Sequence, residues 1–449
     1  MGRRLFRKLR APTSMQIEVT SACNCKCVHC YNYWRDKSEL ALVGDLPPAN
    51  MTMDTAKRML EQCVKNELFD VVLTGGEPFL NFPVVKWLAE EFIKNKIRVS
   101  INSNLSLITD EQADWVLETP LFAVLTTVLG PNADVHDAIT TEKGSFDATM
   151  RGINKLLKHG RCPGVNCVVS KMNIDHIEQI CQVLVNVGLK AMVFTPAICP
   201  EYCKDFTPLQ LTNQEVVKFL NTALAARKKY GIRVGTLVTL PLCSLDGVED
   251  ILYFSDKSCG IGRKQIVCSS DGKLRPCTHF ETIEGDLVQE ELANIWSRFE
   301  HWLEASNFPD ICLNCKLFGL CSGGCRMSAK SATGNHCAVD PNINVENIDK
   351  VARQIQEQLK MKQKASLETL PDSFVINNYR TRKEEYGVVI GTVSGPLATA
   401  IISDEALQVL KRFEVGKSYF THDVLQDLSP MDKNNFLAGM AHRKILQFV

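Results

Sequence analysis

Residues 15–20 read Met-Gln-Ile-Glu-Val-Thr, and residues 23–30 read Cys-Asn-Cys-Lys-Cys-Val-His-Cys. The first run alternates apolar and polar side chains and predicts a β-strand, so the four cysteines lie in the loop that follows it. Two interpretations fit this loop: a zinc or disulfide knuckle, or an iron–sulfur site held by Cys23, Cys27 and Cys30. A structural zinc ion is usually bound by four protein ligands. Three thiolates on a four-iron cube leave one iron without a protein ligand, open to a substrate or cofactor. The loop has no partner knuckle nearby, so the pattern favours iron–sulfur.

Strand-like and helix-like segments alternate after this loop. Strands are predicted at residues 69–74, 97–102, 121–128, 164–170 and 190–195, and helices at 52–66, 83–95, 110–118, 145–159, 175–187 and 212–230. With the opening strand this makes six strands, each followed by a helix, which indicates an α/β fold with parallel strands. In such folds the functional loops lie at the carboxyl ends of the strands.

A second loop, Thr74-Gly75-Gly76-Glu77-Pro78, follows the second strand. It should therefore open on the same face as the cysteine loop. Paired glycines let the backbone approach a ligand closely, and Glu77 offers a carboxylate beside it. A Gly-Gly pair alone is weak evidence, and its position after the strand is what gives it meaning.

Composition excludes several classes of protein. The chain has 449 residues, enough for two or three domains, and its 51 Lys and Arg balance its 51 Asp and Glu, so bulk charge favours neither nucleic acid nor membrane. No apolar run approaches a membrane span, and the basic amino-terminal arm lacks the apolar region of a secretory signal. We expect a soluble cytoplasmic protein. Its 19 cysteines are then ligands and buried thiols, because a disulfide scaffold would be short and secreted.

The two loops together resemble the radical S-adenosylmethionine (radical SAM) enzymes, in which C-x3-C-x2-C follows the first strand and G-G-E-P the second. The resemblance implies a partial (β/α)6 barrel and a [4Fe–4S] cluster on Cys23, Cys27 and Cys30. It also implies that the amino acid end of S-adenosylmethionine chelates the open iron while the 75–78 loop contacts its amino group. Reduction would then split the cofactor and give a 5′-deoxyadenosyl radical. The residues assigned to the cofactor on this basis are Gly75, Gly76, Glu77 and Pro78.

Other cofactor contacts implied by the resemblance are less specific. They are Asn102, Ser103 and Asn104 at the end of strand three, and Asn166 and Ser170 on strand five. Each could equally be a strand-end cap or a turn residue. Leu105 stands where relatives have glycine, and residues 126–129 read Thr-Thr-Val-Leu where many relatives read S-L-D-G.

A second group of cysteines follows the predicted barrel. Asp271-Gly272 predicts a hairpin that brings Cys259 and Cys277 together. The last five cysteines resemble the SPASM extension, which holds auxiliary iron–sulfur clusters, usually two; zinc is the alternative. By analogy Cys243, Cys259, Cys277 and Cys325 would hold the first auxiliary [4Fe–4S] cluster, and Cys312, Cys315, Cys321 and Cys337 the second, three clusters in all. Cys268 competes with Cys243 for its place.

The carboxyl-terminal region predicts a small separate domain. Strand-like runs at 386–392 and 398–402 precede helical segments near 404–414, 421–428 and 432–445, a pattern typical of a winged helix. Residues 366–449 hold nine Lys and Arg and ten Asp and Glu, which argues against a nucleic-acid partner. Similar domains on SPASM enzymes bind the leader of a ribosomally made precursor peptide as an added strand; a structural cap or a dimerisation element is the alternative.

The predicted domains are therefore 1–235 (radical SAM barrel), 236–345 (SPASM), 346–369 (helical linker) and 370–449 (carboxyl-terminal domain). The leading hypothesis is a peptide maturase that abstracts hydrogen from a precursor side chain and forms a cross-link or thioether, fed by a one-electron donor such as a flavodoxin or ferredoxin. The alternatives are a formylglycine-forming sulfatase maturase and, from another class, an iron–sulfur electron-transfer or scaffold protein. The pair Cys199 and Cys203, just past strand six, could bind substrate or donate a proton, although loop cysteines without a function are commoner.

Overall fold

The computed structural model describes residues 4–32, 49–158, 160–201, 203, 205–255, 257–367, 370–393 and 399–449. The predicted segments that include residues 159, 368–369 and 398 therefore lie partly outside the described residues. Among the described residues, no helix has the length and apolar character needed to cross a membrane.

Six parallel strands form the body of the first half of the chain and pair in the order in which they occur. The register places Ile17 of the first strand opposite Leu73 of the second. All six predicted strands are present. Their bounds are β1 Ser14–Glu18, β2 Asp70–Thr74, β3 Arg98–Asn102, β4 Ala123–Thr127, β5 Gly164–Val169 and β6 Met192–Pro196.

Helices connect these strands, and they begin where the sequence supplies caps. Thr109 and Thr212 each accept a hydrogen bond in a capping box, with Gln112 and Glu215 bonding back. The predicted helices are all present, and one more, α4, was not predicted. The bounds are α1 Met53–Lys65, α2 Phe82–Lys94, α3 Asp110–Glu118, α4 Ala133–Thr140, α5 Ser145–Lys158, α6 Ile177–Asn186 and α7 Asn213–Tyr230.

The cysteine-rich region continues the same sheet. Its first strand, β7, runs parallel to β1, and β8 and β9 follow it antiparallel, which makes a nine-stranded sheet. The Asp271-Gly272 hairpin is present, with Gly272 at a φ of +89°. The bounds are β7 Gln265–Cys268, β8 Lys273–Arg275, β9 Gly285–Asp286, α8 Leu292–Arg298, α9 Asp310–Leu313, α10 Phe318–Cys321 and α11 Arg326–Thr333.

A buried ion pair ties the cysteine-rich region to β1. Arg275 on β8 lies 2.6 Å from Glu18 at the end of β1, and both side chains are nearly inaccessible to solvent. The same guanidinium donates to the carbonyl of Phe280. Because both charges of this pair are withdrawn from water, removing one partner would be strongly destabilising.

The helix α12, Ile348–Leu367, is more than the linker that the sequence predicts. Val351 and Ile355, on its first half, are fully buried in the main hydrophobic core. This half therefore belongs to the core of the molecule, and the second half leads to the carboxyl-terminal region.

The carboxyl-terminal region has a hydrophobic core of its own. Its described residues, 370–393 and 399–449, form two three-stranded sheets, β14–β10–β15 and β11–β12–β13, and two helices. The predicted helix at 421–428 is wrong: these residues form turns, and Leu425 has a φ of +51°. The bounds are β10 Ser373–Ile376, β11 Tyr379–Glu384, β12 Gly387–Thr392, β13 Thr399–Ile402, α13 Asp404–Leu410, β14 Ser418–Phe420, α14 Pro430–His442 and β15 Leu446–Phe448.

This region docks on the amino-terminal end of the parallel sheet, opposite the functional loops. The buried Arg382 of β11 donates hydrogen bonds to the carbonyls of Ala11 and Pro12, just before β1, and pairs with Glu384 at 2.6 Å. The ring of Phe69, just before β2, packs against Gly391 of β12. The contact is therefore an extensive polar and apolar interface.

Candidate active site

The cysteine loop and the 75–78 loop are joined backbone to backbone. Gly76 N donates to Thr20 O at 2.7 Å, and Glu77 N donates to Ala22 O at 2.7 Å. A Cβ atom on either glycine would overlap these same carbonyl groups, and Gly75 also has a φ of +147°. The glycines are thus needed for the approach of one loop to the other, whereas the sequence suggested approach to a ligand.

The buried Glu77 side chain links the loops that follow the second and third strands. Its Oε1 accepts hydrogen bonds from Ser103 Oγ at 2.7 Å and Phe79 N at 3.1 Å, and its Oε2 accepts from Asn104 N at 2.8 Å. Burial raises the pKa of this carboxyl to about 7, and the three hydrogen bonds oppose the rise. Of the predicted cofactor residues, the structure brings Glu77, Ser103 and Asn104 together.

Asn104 also holds the cysteine loop. Its Nδ2 donates to Asn24 Oδ1 at 2.9 Å and lies 3.9 Å from the sulfur of Cys23. Its Oδ1 accepts from Ser106 N at 2.9 Å. Strand three thus anchors the loop whose thiols are the candidate cluster ligands.

The thiol of Cys25 forms hydrogen bonds with the thiols of Cys23 and Cys27. Cys30 N donates to Cys27 O at 2.9 Å and closes the end of the loop. Hydrogen bonding to Cys25 and then burial raise the pKa of Cys23. For Cys25, the hydrogen bond to Cys23 lowers the pKa, but the bond to Cys27 and burial outweigh it and bring the value to about 12. Cys25, which the sequence places outside the ligand set, lies between two of the proposed ligands.

The residues present fit an iron–sulfur cluster. The donors are all sulfur, at the edge where the carboxyl ends of β1, β2 and β3 meet, and sulfur is the ligand that iron–sulfur clusters take. Across the described residues, no three His, Cys, Asp or Glu side chains are spaced to hold one metal ion.

The two candidates on strand five have different surroundings. Asn166 is half-buried, and its Oδ1 accepts from Thr195 Oγ1 at 2.9 Å on the neighbouring strand; its neighbours Val165 and Cys167 are buried. Because side chains alternate along a strand, Asn166 and the half-buried Asn102 project to the side away from the helices. Ser170 is buried, and its backbone N donates to Asn173 Oδ1 at 2.8 Å in a turn after β5.

The eight cysteines of the second group form two sets and one outlier. The first thiol set is Cys259, Cys277 and Cys325, and the second thiol set is Cys243, Cys312, Cys315 and Cys321. The four thiols of the second set line one apolar pocket, and the three thiols of the first set do not. Within each set, the thiols are close enough to shift one another's pKa.

The structure places Cys243 beside Cys312, Cys315 and Cys321 and places Cys337 beside Asn307, whereas the analogy assigns Cys243 to the first auxiliary cluster and Cys337 to the second. Cys243 follows Pro241 in a short 3-10 turn against the second thiol set, and the Leu242 N–H bonds to the thiol of Cys321. The Cys337 thiol donates to Asn307 Oδ1 at 3.4 Å. Cys268, the alternative to Cys243, is fully buried in the main core.

A cavity of about 230 Å³ opens at the carboxyl end of β6, between this strand and the cysteine-rich region. Cys199 and Cys203 line it, and burial raises the pKa of Cys199 to about 11. Ser328 and Asp340 line its other side. These two were missed from the sequence because they are more than 100 residues from β6 and belong to no local pattern.

Two aromatic residues join the cysteine loop to the first thiol set. The rings of Tyr31 and His279 lie 5.3 Å apart, and His279 is two residues from Cys277. Burial is the main cause that lowers the pKa of His29 to about 4, and the nearby His279 and His136 lower it further, so the His29 ring is neutral at pH 7. Sequence reasoning missed this junction because nothing local connects residues 29–31 to residue 279.

Comparisons with known proteins agree with this arrangement. A model of the radical SAM superfamily matches residues 17–184, and a model of the SPASM iron–sulfur cluster-binding domain matches residues 259–316. The chain is 25% identical to an AdoMet-dependent heme synthase of Methanosarcina barkeri, over 74% of this chain and 96% of the relative. It is 26% identical to mycofactocin maturase MftC of Mycolicibacterium smegmatis, over 73% of this chain and 81% of the relative.

Two further similarities extend the comparison. The subtilosin biosynthesis protein AlbA of Bacillus subtilis is 26% identical, over 75% of this chain and 73% of the relative. The solved structure of native anSMEcpe with bound AdoMet is 20% identical and has a TM-score of 0.62 over 78% of this chain and 99% of that chain, which indicates a shared fold.

Proposed function

The chain belongs to the radical SAM superfamily and carries a SPASM domain, and from this we propose that it is a radical SAM maturase acting on a ribosomally made precursor peptide. The observation that carries the proposal is the joining of the Cys23–Cys30 thiol loop to the Gly75-Gly76-Glu77-Pro78 loop at one edge of the sheet. Cys23, Cys27 and Cys30 would hold a [4Fe–4S] cluster at that edge, and its chemistry would be one-electron reduction of S-adenosylmethionine, which would give a 5′-deoxyadenosyl radical. The six-stranded parallel sheet is then the partial (β/α)6 barrel that encloses it.

The chain's own residues bind and orient in this proposal. Cys23, Cys27 and Cys30 hold the cluster as thiolates, having released their protons on binding iron. Glu77, fixed by its three hydrogen bonds, presents one remaining acceptor position to the cofactor's amino group. Asn104 keeps the two loops in register.

The substrate class rests on relatives and on the shape of the site. MftC is named as a maturase of mycofactocin, and AlbA is named as a biosynthesis protein of the bacteriocin subtilosin. The cavity at the end of β6 opens beside the same edge and is large enough for a peptide side chain. The proposed product carries a new cross-link or thioether, with two hydrogens lost. An external one-electron donor, such as a flavodoxin or ferredoxin, reduces the first cluster. The auxiliary clusters carry away the second electron that the peptide loses.

The carboxyl-terminal region is the proposed site for the leader of that precursor. Its strand β13 is an edge of its sheet, with Ile401 exposed, and an extended peptide can add to such an edge. Hydrogen exchange of the full chain tests this: precursor should protect amides of β13 or of another edge strand within residues 370–449. Protection confined to residues outside that region would rule leader binding there out.

A second candidate is suggested by the heme synthase relative, because the similarity covers 96% of that protein. Coexpression separates the two. The peptide encoded by a short reading frame beside the gene should lose two hydrogens per bond formed, as seen by mass spectrometry. A peptide of unchanged mass, together with turnover of a tetrapyrrole, would favour the heme-type reaction.

A further inference from the structure

Two thiols outside the cysteine loop and both thiol sets lie together in the wall of the cavity at the end of β6. Cys199 and Cys203 line this cavity, and their thiols form a hydrogen bond with each other. The two residues are brought together by a turn, in which Cys203 N donates to Pro200 O at 3.1 Å. Both side chains are half-buried, so a molecule in the cavity can reach them.

The turn that carries the two thiols is anchored on two sides. Glu201 Oε1 pairs with Lys330 Nζ at 2.6 Å, and Glu201 Oε2 accepts a hydrogen bond from Glu281 N at 2.9 Å. Ser331 Oγ donates to Cys199 O at 2.8 Å. These bonds hold the turn to α11 and to the segment after β8. Because the turn is already ordered, bringing the two sulfurs to bonding distance costs little chain entropy.

The two thiols are not equivalent. The Cys199 S–H donates to the sulfur of Cys203, and Asp205 N donates to the same sulfur. Burial, and then the nearby Cys203, raises the pKa of Cys199 to about 11. Burial also raises the pKa of Cys203, but its two hydrogen bonds oppose the rise because they favour the thiolate. Cys203 therefore ionises before Cys199, and the thiolate is the form that reacts with a disulfide.

We propose that Cys199 and Cys203 form a thiol–disulfide exchange site for a disulfide that enters this cavity. The Cys203 thiolate attacks one sulfur of the disulfide and forms a mixed disulfide, and the other sulfur leaves as a thiolate that takes up a proton. Cys199 then loses its proton to water and attacks the Cys203 sulfur, and the second thiol leaves. Two thiols of the protein are oxidised to one disulfide while the entering disulfide is reduced to two thiols. A dithiol reductant returns the pair to its starting form.

The inference rests on the proposed function, because a thioether forms from a free thiol and not from a disulfide. The cavity that holds the pair is the one proposed for the substrate side chain. A precursor cysteine that arrives oxidised would therefore be reduced at the place where it is used. A small disulfide of the cellular redox buffer has the same chemistry, and the experiment distinguishes the two sources.

Peptide mass mapping tests the exchange. Anaerobically reconstituted full-length protein is treated with 2-hydroxyethyl disulfide or with the disulfide-linked dimer of a short cysteine peptide, and free thiols are then blocked with N-ethylmaleimide. Trypsin releases residues 191–204, which contain both cysteines. This peptide should be unblocked and lighter by two hydrogens. Faster closure with the peptide dimer identifies a precursor as the source, and faster closure with the small disulfide identifies a redox buffer. Recovery of both cysteines as blocked thiols with either reagent would overturn the proposal.

Single variants test the order of the two thiols. Cys199→Ser should stop at a mixed disulfide on Cys203, and Cys203→Ser should react several-fold more slowly. The control Cys162→Ala, which alters an exposed cysteine elsewhere, should close the pair like the unaltered protein. Reaction of Cys203→Ser as fast as that of Cys199→Ser would contradict the assignment. No S-adenosylmethionine is added in these experiments, so failure of the proposed function, seen as absence of 5′-deoxyadenosine, is scored separately.

Discussion

We expect Arg382 to contribute most of the side-chain interaction energy between the carboxyl-terminal region and the parallel sheet. Its guanidinium is 1% exposed and donates to the carbonyls of Ala11 at 2.7 Å and Pro12 at 2.9 Å, in addition to its pair with Glu384. Arg382→Met removes all of these bonds and leaves the buried Glu384 carboxylate with a hydrogen bond from Arg10 N but without the guanidinium as counter-ion. Removing one partner of a buried pair costs about 3–5 kcal/mol. With an unfolding entropy of about 2.1 cal/mol/K per residue, a 449-residue chain that melts as one unit loses about 1 °C per kcal/mol, so the melting temperature should fall by roughly 3–5 °C.

The neighbouring residue supplies a matched control. Lys383 is exposed and pairs with Asp404 on the surface, so Lys383→Met should cost about 1 kcal/mol or less. Hydrogen exchange should show that Arg382→Met exposes the amides of β11 and of the residues just before β1. Adding Glu384→Leu to Arg382→Met should restore part of the loss, because the unpaired charge is gone. Equal melting temperatures for Arg382→Met and Lys383→Met would refute the reasoning.

The remaining predictions concern the site and its supports. Because the pKa of Glu77 rises from 4.5 to about 7 on folding, its stabilising contribution is complete below pH 4.5 and is lost as the pH rises through about 7. Relative to Glu77→Gln, the unfolding free energy of the metal-free protein should therefore fall by about 2–3 kcal/mol between pH 5 and pH 8 in denaturant titrations; a pH-independent difference would contradict this. Arg275→Met should destabilise the protein by about 3–5 kcal/mol because it breaks the buried ion pair with Glu18, and a loss below 1 kcal/mol would show that the pair is solvated. Gly76→Ala should separate the two loops and abolish S-adenosylmethionine binding in a calorimetric titration, whereas Gly319→Ala, whose Cβ meets open space and whose φ is not positive, should bind normally.

Elements with strong local signals were predictable from the sequence. The amphipathic helices and the buried strands of the first half lie within a few residues of their predicted bounds, because their periodicity reflects burial against one sheet. The Asp271-Gly272 hairpin follows from the turn that glycine permits. The cysteine loop and the 75–78 loop were predictable for the same reason, since each comes directly after a strand.

Elements that depend on tertiary contacts were not predictable. Residues 421–428 have helical spacing, yet Leu425 adopts a left-handed conformation and is buried in the small core as part of a turn. The strands β10, β14 and β15 have only three or four residues, too few for an alternation to be recognised. The grouping of Cys243 with the second thiol set depends on a contact across some 70 residues, which spacing along the chain does not reveal.

The central claim is that the cysteine loop and the 75–78 loop together generate a 5′-deoxyadenosyl radical. The direct measurement is 5′-deoxyadenosine, by chromatography and mass spectrometry, after anaerobic reconstitution, chemical reduction and addition of S-adenosylmethionine. The unaltered protein and Cys162→Ala should both form it, and the Cys23→Ala, Cys27→Ala, Cys30→Ala triple variant should form none. Unaltered protein with its full iron content that forms no 5′-deoxyadenosine would contradict the claim.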